Sequence, residues 1–171
     1  MAFSFIAVIT FSSCNQNEIK EPAEYKGPLR EVENVETFYS ENGRIKVKIV
    51  AALLFEFASG DREFPKGIFV EFYDETGKLE STLRANHAFY FKSENQWRGR
   101  GKVQVKNIAR NEQLNTEELF WKPAEERIFT DQFVTIRQEG DVLYGQGLQA
   151  KQDMSDYTIL KPEGEFDVKE E

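Results

Sequence analysis

The sequence predicts a single all-β domain of antiparallel strands that form one folded-over sheet. Between residues 29 and 160, apolar and polar residues alternate with a period of two, which is the pattern of half-buried strands. Turn-forming residues recur at roughly the 8–12-residue spacing of all-β folds. A repeat of a bent hairpin runs through the same segment. With 171 residues, 40% of them hydrophobic, the chain can bury one core of ordinary size.

The first element is a short apolar segment that ends at a cysteine. Residues 1–11 are apolar apart from two hydroxyl residues, and a bilayer-spanning helix needs about 20 apolar residues. Two serines precede Cys14, as at the lipidation site of a bacterial lipoprotein signal. We therefore expect 1–13 to be a signal peptide and Cys14 to be the lipid attachment site. No Lys or Arg precedes Lys20, so either the true start of the signal lies upstream of Met1 or the segment is a buried strand or helix.

Polar segments flank the predicted domain on both sides. Residues 14–28 contain two prolines and a glycine among many polar side chains, so we expect a lipidated, extended tether there. The last segment, 161–171, contains Pro162, Gly164 and a glutamate-rich end. We expect this segment to be a flexible tail, which leaves 29–160 as the domain.

Alternation and turn sequences assign the strands of the domain. In residues 44–50, Ile45, Val47 and Ile49 alternate with basic side chains. Residues 67–73 form a further strand, and the Asp-Glu-Thr-Gly sequence that follows suits a hairpin turn because glycine tolerates positive φ. Similar strand–turn–strand units continue to the end of the domain.

A weak repeat of roughly 30 residues runs through these strands. Residues 83–90 read Leu-x-Ala-x-x-Ala-x-Tyr, residues 114–121 read Leu-x-Thr-x-x-Leu-x-Trp, and residues 143–150 read Leu-x-Gly-x-x-Leu-x-Ala. The inward positions shift by one residue in the middle of each copy, as a β-bulge or a corner produces. Hairpins that share a corner predict a V or half-pipe lined by one face of every strand. Chance periodicity is the alternative.

The composition argues against several classes of function. A formal net charge of −8, from 22 basic and 30 acidic residues, disfavours nucleic-acid binding. One cysteine and one histidine cannot form an intrachain disulfide or a zinc site of Cys and His, and no metal or cofactor is predicted. Arg98, Arg100, Lys102 and Lys106 form a small basic cluster, which is interpreted either as a contact for lipid phosphates or as a solvated loop.

The candidate catalytic residues are few. His87 is the single histidine, so a Ser/His/Asp or Cys/His arrangement must use it, and alternation predicts a surface or rim position. Cys14 is assigned to lipidation. Carboxylate pairs such as Asp61/Glu63 lie in charged, loop-like sequence, where such groups are normally solvated. We therefore predict that the chain is not an enzyme.

Three stretches resemble the LptC family, the membrane-anchored envelope component of lipopolysaccharide export. They are Phe-Val-Thr-Ile-Arg at 133–137, Gly-Gln-Gly-Leu-Gln-Ala at 145–150, and Leu-Asn-Thr-Glu-Glu-Leu-Phe-Trp at 114–121. The resemblance extends over about residues 32–160 and is shared with the related LptA and the N-terminal domain of LptD. It implies an open, twisted antiparallel β-jellyroll whose apolar interior holds lipid A acyl chains. The best-known members carry a transmembrane helix where this chain has Cys14.

The resemblance implies a relay function in the cell envelope. The protein would bind lipopolysaccharide and pass it from an inner-membrane ABC transporter of the LptB, LptF and LptG type to an LptA-like periplasmic jellyroll. It would be a membrane-anchored lipoprotein facing the periplasm, with the inner membrane favoured. Exposed edge strands would dock partners, with Gly147 near the C-terminal edge. The predicted lipid-binding interior consists of Ile45, Val47, Ile49, Phe55, Val70, Phe72, Leu83, Ala85, Tyr90, Val103, Val105, Leu119, Trp121, Phe133, Ile136 and Leu148.

The sequence leaves one other function open. A sheet with one apolar face and no covering helix must close on itself or bind something apolar. The alternative is therefore a structural or adhesive envelope β-lipoprotein with a closed core and no lipid transfer. Core packing is the simpler interpretation for each interior residue taken singly, whereas the group as a whole favours a lipid groove.

Overall fold

The computed structural model describes residues 25–164, which form eleven strands and one short 3-10 turn. The strands are β1 (Arg30–Glu41), β2 (Arg44–Glu56), β3 (Arg62–Phe64), β4 (Ile68–Tyr73), β5 (Leu79–Ala85), β6 (His87–Phe91), β7 (Gln96–Asn107), β8 (Glu112–Lys122), β9 (Arg127–Gln138), β10 (Asp141–Lys151) and β11 (Tyr157–Glu163); the turn is Pro123–Glu125. Within this range no helix has the length and apolar character to cross a membrane. The predicted all-β fold is confirmed.

The strands follow one another as an antiparallel meander with two edges. β1 pairs only with β2, and β11 pairs only with β10. β3 and β4 act together as one interrupted strand beside β2, because Val47–Val50 pairs with β4 while Phe55 and Glu56 pair with β3. β5 and β6 form a second interrupted strand beside β7.

The sheet folds over on itself across the middle of its long strands. The rings of Phe72 on β4 and Trp121 on β8 have centroids 5.1 Å apart. Along the sheet these strands are separated by three intervals of about 4.8 Å each, so only a fold in the sheet brings the rings together. We call the bent side the corner and the opposite long side, where hairpin turns of the two layers meet, the mouth.

Each of the long strands β7, β8, β9 and β10 contributes one half to each layer. Layer A contains β4, β5 and residues 44–50, 103–107, 112–116, 133–138 and 141–146; layer B contains β3, β6 and residues 96–100, 119–122, 127–130 and 148–151. At the mouth, the β4–β5 turn of layer A and the β8–β9 turn of layer B line a common cleft together with residues 151–153.

The corner consists of register shifts in the strand pairing, and two of the three shifts fall where the repeat predicts them, in its second and third copies. Pairing slips between Arg100 and Val103, between Thr116 and Phe120, and between Gln146 and Leu148. In the second copy of the repeat the buried positions change parity as predicted, from Leu114 and Thr116 to Leu119 and Trp121. The backbone passes closely here: a Cβ on Gly67 (φ +83°) would lie 2.4 Å from the Ala85 carbonyl oxygen.

The two layers bury one continuous apolar core between them. Side chains from both layers are almost wholly inaccessible to solvent, among them Phe72, Ile49, Leu114, Leu119, Ile128, Ile136, Leu148, Met154, Val70, Val103, Val105 and Val134. Both inner faces are covered because the two layers of the folded sheet pack against each other. In this structure the interior is therefore filled by the protein's own side chains.

Candidate functional site at the interior and mouth of the folded sheet

The structure brings most of the predicted interior residues together. Those buried in the core are Val47, Ile49, Val70, Phe72, Leu83, Ala85, Val103, Val105, Leu119, Trp121, Ile136 and Leu148. Phe55 and Tyr90 are half-buried, and Tyr90 packs against the core. The two layers meet around an aromatic group in which Trp97 lies 5.8 Å from Trp121 and 5.4 Å from Phe64 between ring centroids.

Two predicted interior residues lie outside the core, and their placement in the interior was wrong. Ile45 is 43% exposed because it lies at the mouth end of β2, where the β1–β2 register shifts between Tyr39 and Ser40. Phe133 is 47% exposed. Its strand β9 keeps a single parity, with Val134 and Ile136 facing inward, so that Phe133, one residue before Val134, faces outward.

Several core residues were missing from the predicted interior set. Leu114, Ile128 and Val134 are 0% exposed, and Trp97 is 4% exposed. Leu114 stands at the first position of the second repeat copy, so the repeat itself contained the signal for its burial. Met154 is also 0% exposed, but it lies in the connection between β10 and β11, where strand alternation cannot reveal an inward side chain.

The predicted basic cluster faces away from the interior. Arg98 and Arg100 lie on the outer face of β7, and the Arg100 guanidinium is 2.9 Å from the Glu118 carboxylate. Lys102 is at the corner with φ +49°, where its side chain is exposed. This arrangement favours the interpretation of the cluster as a solvated surface.

The mouth instead carries three clefts of different character. At the β1 end, a cleft of about 470 Å³ is lined by Arg30, Arg62 and Lys92 with Glu56, Tyr39, Phe57, Gly60 and Tyr90. In the middle, a cleft of about 330 Å³ is lined by Asp74, Glu75, Glu80, Glu125, Glu126 and Asp153 with Lys46, Tyr73, Lys151 and Gln152. At the β11 end, a cleft of about 470 Å³ is lined by Val142, Leu143, Tyr144, Tyr157, Ile159 and Pro162 with Asp141, Glu163 and Gly164.

One carboxyl group in the acidic middle cleft has a raised pKa. Burial raises the pKa of Glu80 above its ordinary value, and the neighbouring carboxylate of Asp153 raises the pKa further. Glu80 is on layer A, whereas Asp153 follows β10 of layer B, so these acidic groups face each other across the mouth.

Both edges of the meander have solvent on one side. β1 extends over twelve residues that are mostly exposed, with Val35 buried. β11 is also largely exposed and contains Pro162, which has no amide hydrogen. Gly147, predicted to lie near the partner edge, is on β10 instead, one strand inside that edge. It is buried at φ +80°, where a Cβ would lie 3.0 Å from the Leu160 side chain.

The groups considered for catalysis have structural partners. The His87 Nε2 atom lies 2.8 Å from Glu63 Oε1 across the β6 and β3 strands. Asp61 accepts hydrogen bonds from the Ser59 hydroxyl and the Lys92 amide, which fixes the β2–β3 turn. Among residues 25–164, no group of His, Cys, Asp and Glu is arranged to hold a metal ion. Cys14 lies outside the described residues.

Comparison with known proteins assigns the family. The family model described as "Lipopolysaccharide-assembly, LptC-related" matches residues 2–162 of this chain. A comparison with curated proteins finds no match. The family is a non-enzymatic component of lipopolysaccharide transport and resides in the periplasmic part of the cell envelope. The match spans nearly the whole chain, and the chain belongs to the LptC family.

Proposed function

We propose that the space between the two layers holds the acyl chains of lipopolysaccharide and that the protein passes this lipid onward without chemistry. The observation that carries this proposal is the folded sheet itself. Its halves meet through apolar side chains, and polar clefts line the long mouth through which an acyl chain can enter. Family membership supports lipopolysaccharide as the lipid.

The charges at the mouth favour one position for the lipid phosphates. At the β1 end, Arg30 and Arg62 both pair with Glu56, the single acidic residue that lines the cleft, and Lys92 leaves the cleft with an excess of positive charge. The middle cleft carries six carboxyl groups and two lysines, so it repels phosphate. Because Tyr90 lines the basic cleft and packs on the core, a phosphate at Arg62 would lie beside the interior.

The edge strands support a relay between similar domains. An unpaired edge can accept another strand by β-augmentation. We infer that one edge meets an inner-membrane transporter of the LptB, LptF and LptG type and the other meets an LptA-like jellyroll. ATP hydrolysis by the transporter supplies the energy, while this domain provides binding that is reversible. Lipidation of Cys14 after removal of residues 1–13 would hold the domain at the inner membrane.

A second function is favoured by the packing of the interior. Because Val70, Leu114, Ile136 and Leu148 are 0% exposed, the closed structure also suits a purely structural envelope protein without a lipid site. The two functions differ in whether lipid enters between the layers.

Site-specific photocrosslinking to lipopolysaccharide distinguishes them. A photoreactive phenylalanine analogue at Phe72 or Trp121 would lie in the interior, whereas Phe69 and Phe120 are their outward-facing neighbours on the same strands. If lipid binds between the layers, we expect lipid adducts at the two inner positions and few adducts at the two outer positions. Equal labelling of all four positions, or none at any, would contradict the proposed lipid site.

A further inference from the structure

The connection between β10 and β11 crosses the mouth and is held by buried polar side chains. We call Gln152–Ser155 the strap. The Ser81 hydroxyl of β5 donates to the Gln152 carbonyl oxygen at 3.2 Å, and the Asn107 side-chain amide of β7 donates to the Asp153 carbonyl oxygen at 2.7 Å. Ser81 and Asn107 belong to layer A, whereas the strap leaves β10 in layer B. These hydrogen bonds therefore join the two layers.

Layer B holds the other side of the strap. The Trp121 Nε1 atom donates to the Gln152 side-chain oxygen Oε1 at 2.8 Å. The backbone N–H of Gln152 donates to the Glu126 carbonyl oxygen, also at 2.8 Å. Ser81 and Asn107 are 0% and 4% exposed and are among the few buried polar residues of the described chain. The Ser81 hydroxyl and the Asn107 side-chain NH2 group both donate to the strap, so both donors lose these partners when the strap leaves.

The strap also inserts an apolar side chain into the core. Met154 is 0% exposed and belongs to the core cluster, although its backbone is left-handed at φ +60°. A non-glycine residue in this conformation is strained, and its packing and hydrogen bonds must compensate. Methionine is also unbranched and flexible, so its side chain resembles a short segment of an acyl chain in shape and polarity.

We propose that the strap is a displaceable cover of the interior and that an acyl chain takes the place of Met154 when the strap leaves. This inference rests on the proposed lipid function. The apolar cleft at the β11 end leads to this place, because Tyr157 and Ile159 line that cleft and pack against the core just after the strap. An acyl chain held there would compete with Met154 for the same apolar surroundings.

Bridging the strap to layer A tests the proposal. The experiment uses the full chain, in which Cys14→Ser removes the native thiol. The substitutions Glu80→Cys and Asp153→Cys then place one thiol on each side of the acidic cleft, where a short bis-maleimide can join them. The matched control pair is Lys122→Cys with Glu125→Cys, whose native side chains are 3.2 Å apart within layer B. Both proteins carry the photoreactive analogue at Phe72 and are exposed to purified lipopolysaccharide.

The expected result is a loss of about tenfold in lipid adduct at position 72 when the strap is bridged, with no loss in the control pair. An equal yield of lipid adduct with and without the strap bridge would overturn the proposal that the strap covers the interior, but it would not contradict the lipid site itself. Absence of adduct in every unbridged protein would instead contradict the lipid function on which the inference rests.

A second measurement follows the strap without lipid. In the Cys14→Ser background, the thiol of Met154→Cys reports opening of the strap through its rate of maleimide labelling. Asn107→Ala should accelerate labelling about fivefold, the effect of losing its one hydrogen bond to the strap, and lipopolysaccharide should accelerate it further. A rate that neither Asn107→Ala nor lipopolysaccharide changes would overturn the proposal.

Discussion

Substitution of Gly145 by alanine should detach the edge strand β11. Gly145 pairs with Pro162 in the β10–β11 ladder. An alanine Cβ there would lie 2.2 Å from the Lys161 carbonyl oxygen, 2.7 Å from Ile159 Cγ2 and 2.8 Å from Pro162 Cα. Real Cβ contacts are essentially never shorter than 3.0 Å, so the strands must separate by 3.0 − 2.2 = 0.8 Å at that point.

A separation of this size lengthens the adjacent ladder hydrogen bonds beyond their useful range. Overpacking of this kind costs about 1–3 kcal/mol in unfolding free energy. Hydrogen exchange should show loss of protection over 157–163, with the rest of the sheet retained, and urea unfolding should give the total cost. If β11 is a partner edge, docking of an LptA-like jellyroll or of the transporter to that edge should weaken as well.

Gly99→Ala is the matched control. Its Cβ would meet the Ala85 methyl group at 3.1 Å, a distance that a small adjustment relieves, and it lies far from β11 in the strand order. We expect a cost below about 1 kcal/mol and normal exchange in β11. Unchanged protection of residues 157–163 in Gly145→Ala would refute the pairing on which the reasoning depends.

Three further outcomes are expected. Leu114→Ala should lower the unfolding free energy by about 2–5 kcal/mol in urea titrations, against less than about 0.5 kcal/mol for the exposed Ile45→Ala; similar losses would contradict the assigned faces. Burial and Asp153 raise the pKa of Glu80 above its unfolded value near 4.5, so ionisation of Glu80 costs stability at neutral pH. Glu80→Gln should therefore raise the unfolding free energy at about pH 7 by up to about 1 kcal/mol. The same substitution should change the unfolding free energy little near pH 4. A stabilisation that is the same at both pH values would argue against a charge effect. Arg62→Gln should weaken lipopolysaccharide binding in fluorescence titrations at low salt and less so at high salt, and equal dissociation constants would exclude a phosphate contact there.

The sequence contained most of the fold because strand alternation and local turns are short-range properties. The parity shift within the repeat predicted the corner correctly at Thr116 and Leu119, where the register slips. The assignment of Phe133 to the interior was wrong, because β9 passes the corner with a single parity in which Val134 and Ile136 face inward, and the sequence of one strand does not show how that strand passes a bend.

The features of the mouth depend on contacts between residues far apart in the chain. Alternation could not show that Ser81 and Asn107 reach the strap, since 71 and 46 residues separate the bonded partners. The basic residues of the β1-end cleft come from β1, β3 and the segment after β6, so no local charge cluster reveals them. Pairing of β7 likewise determines that Arg98 and Arg100 face outward.

The fluorescence of the two native tryptophans tests, without any substitution, whether acyl chains bind between the two layers. The chain contains two tryptophans, and Trp97 and Trp121 are 4% and 3% exposed in the interior, with ring centroids 5.8 Å apart. Lipopolysaccharide with brominated acyl chains quenches only tryptophans that its chains contact, and unbrominated lipopolysaccharide is the control. A lipid site between the two layers predicts saturable quenching that is specific to the brominated lipid. Binding of the brominated lipid, measured independently, with unchanged tryptophan intensity would contradict it.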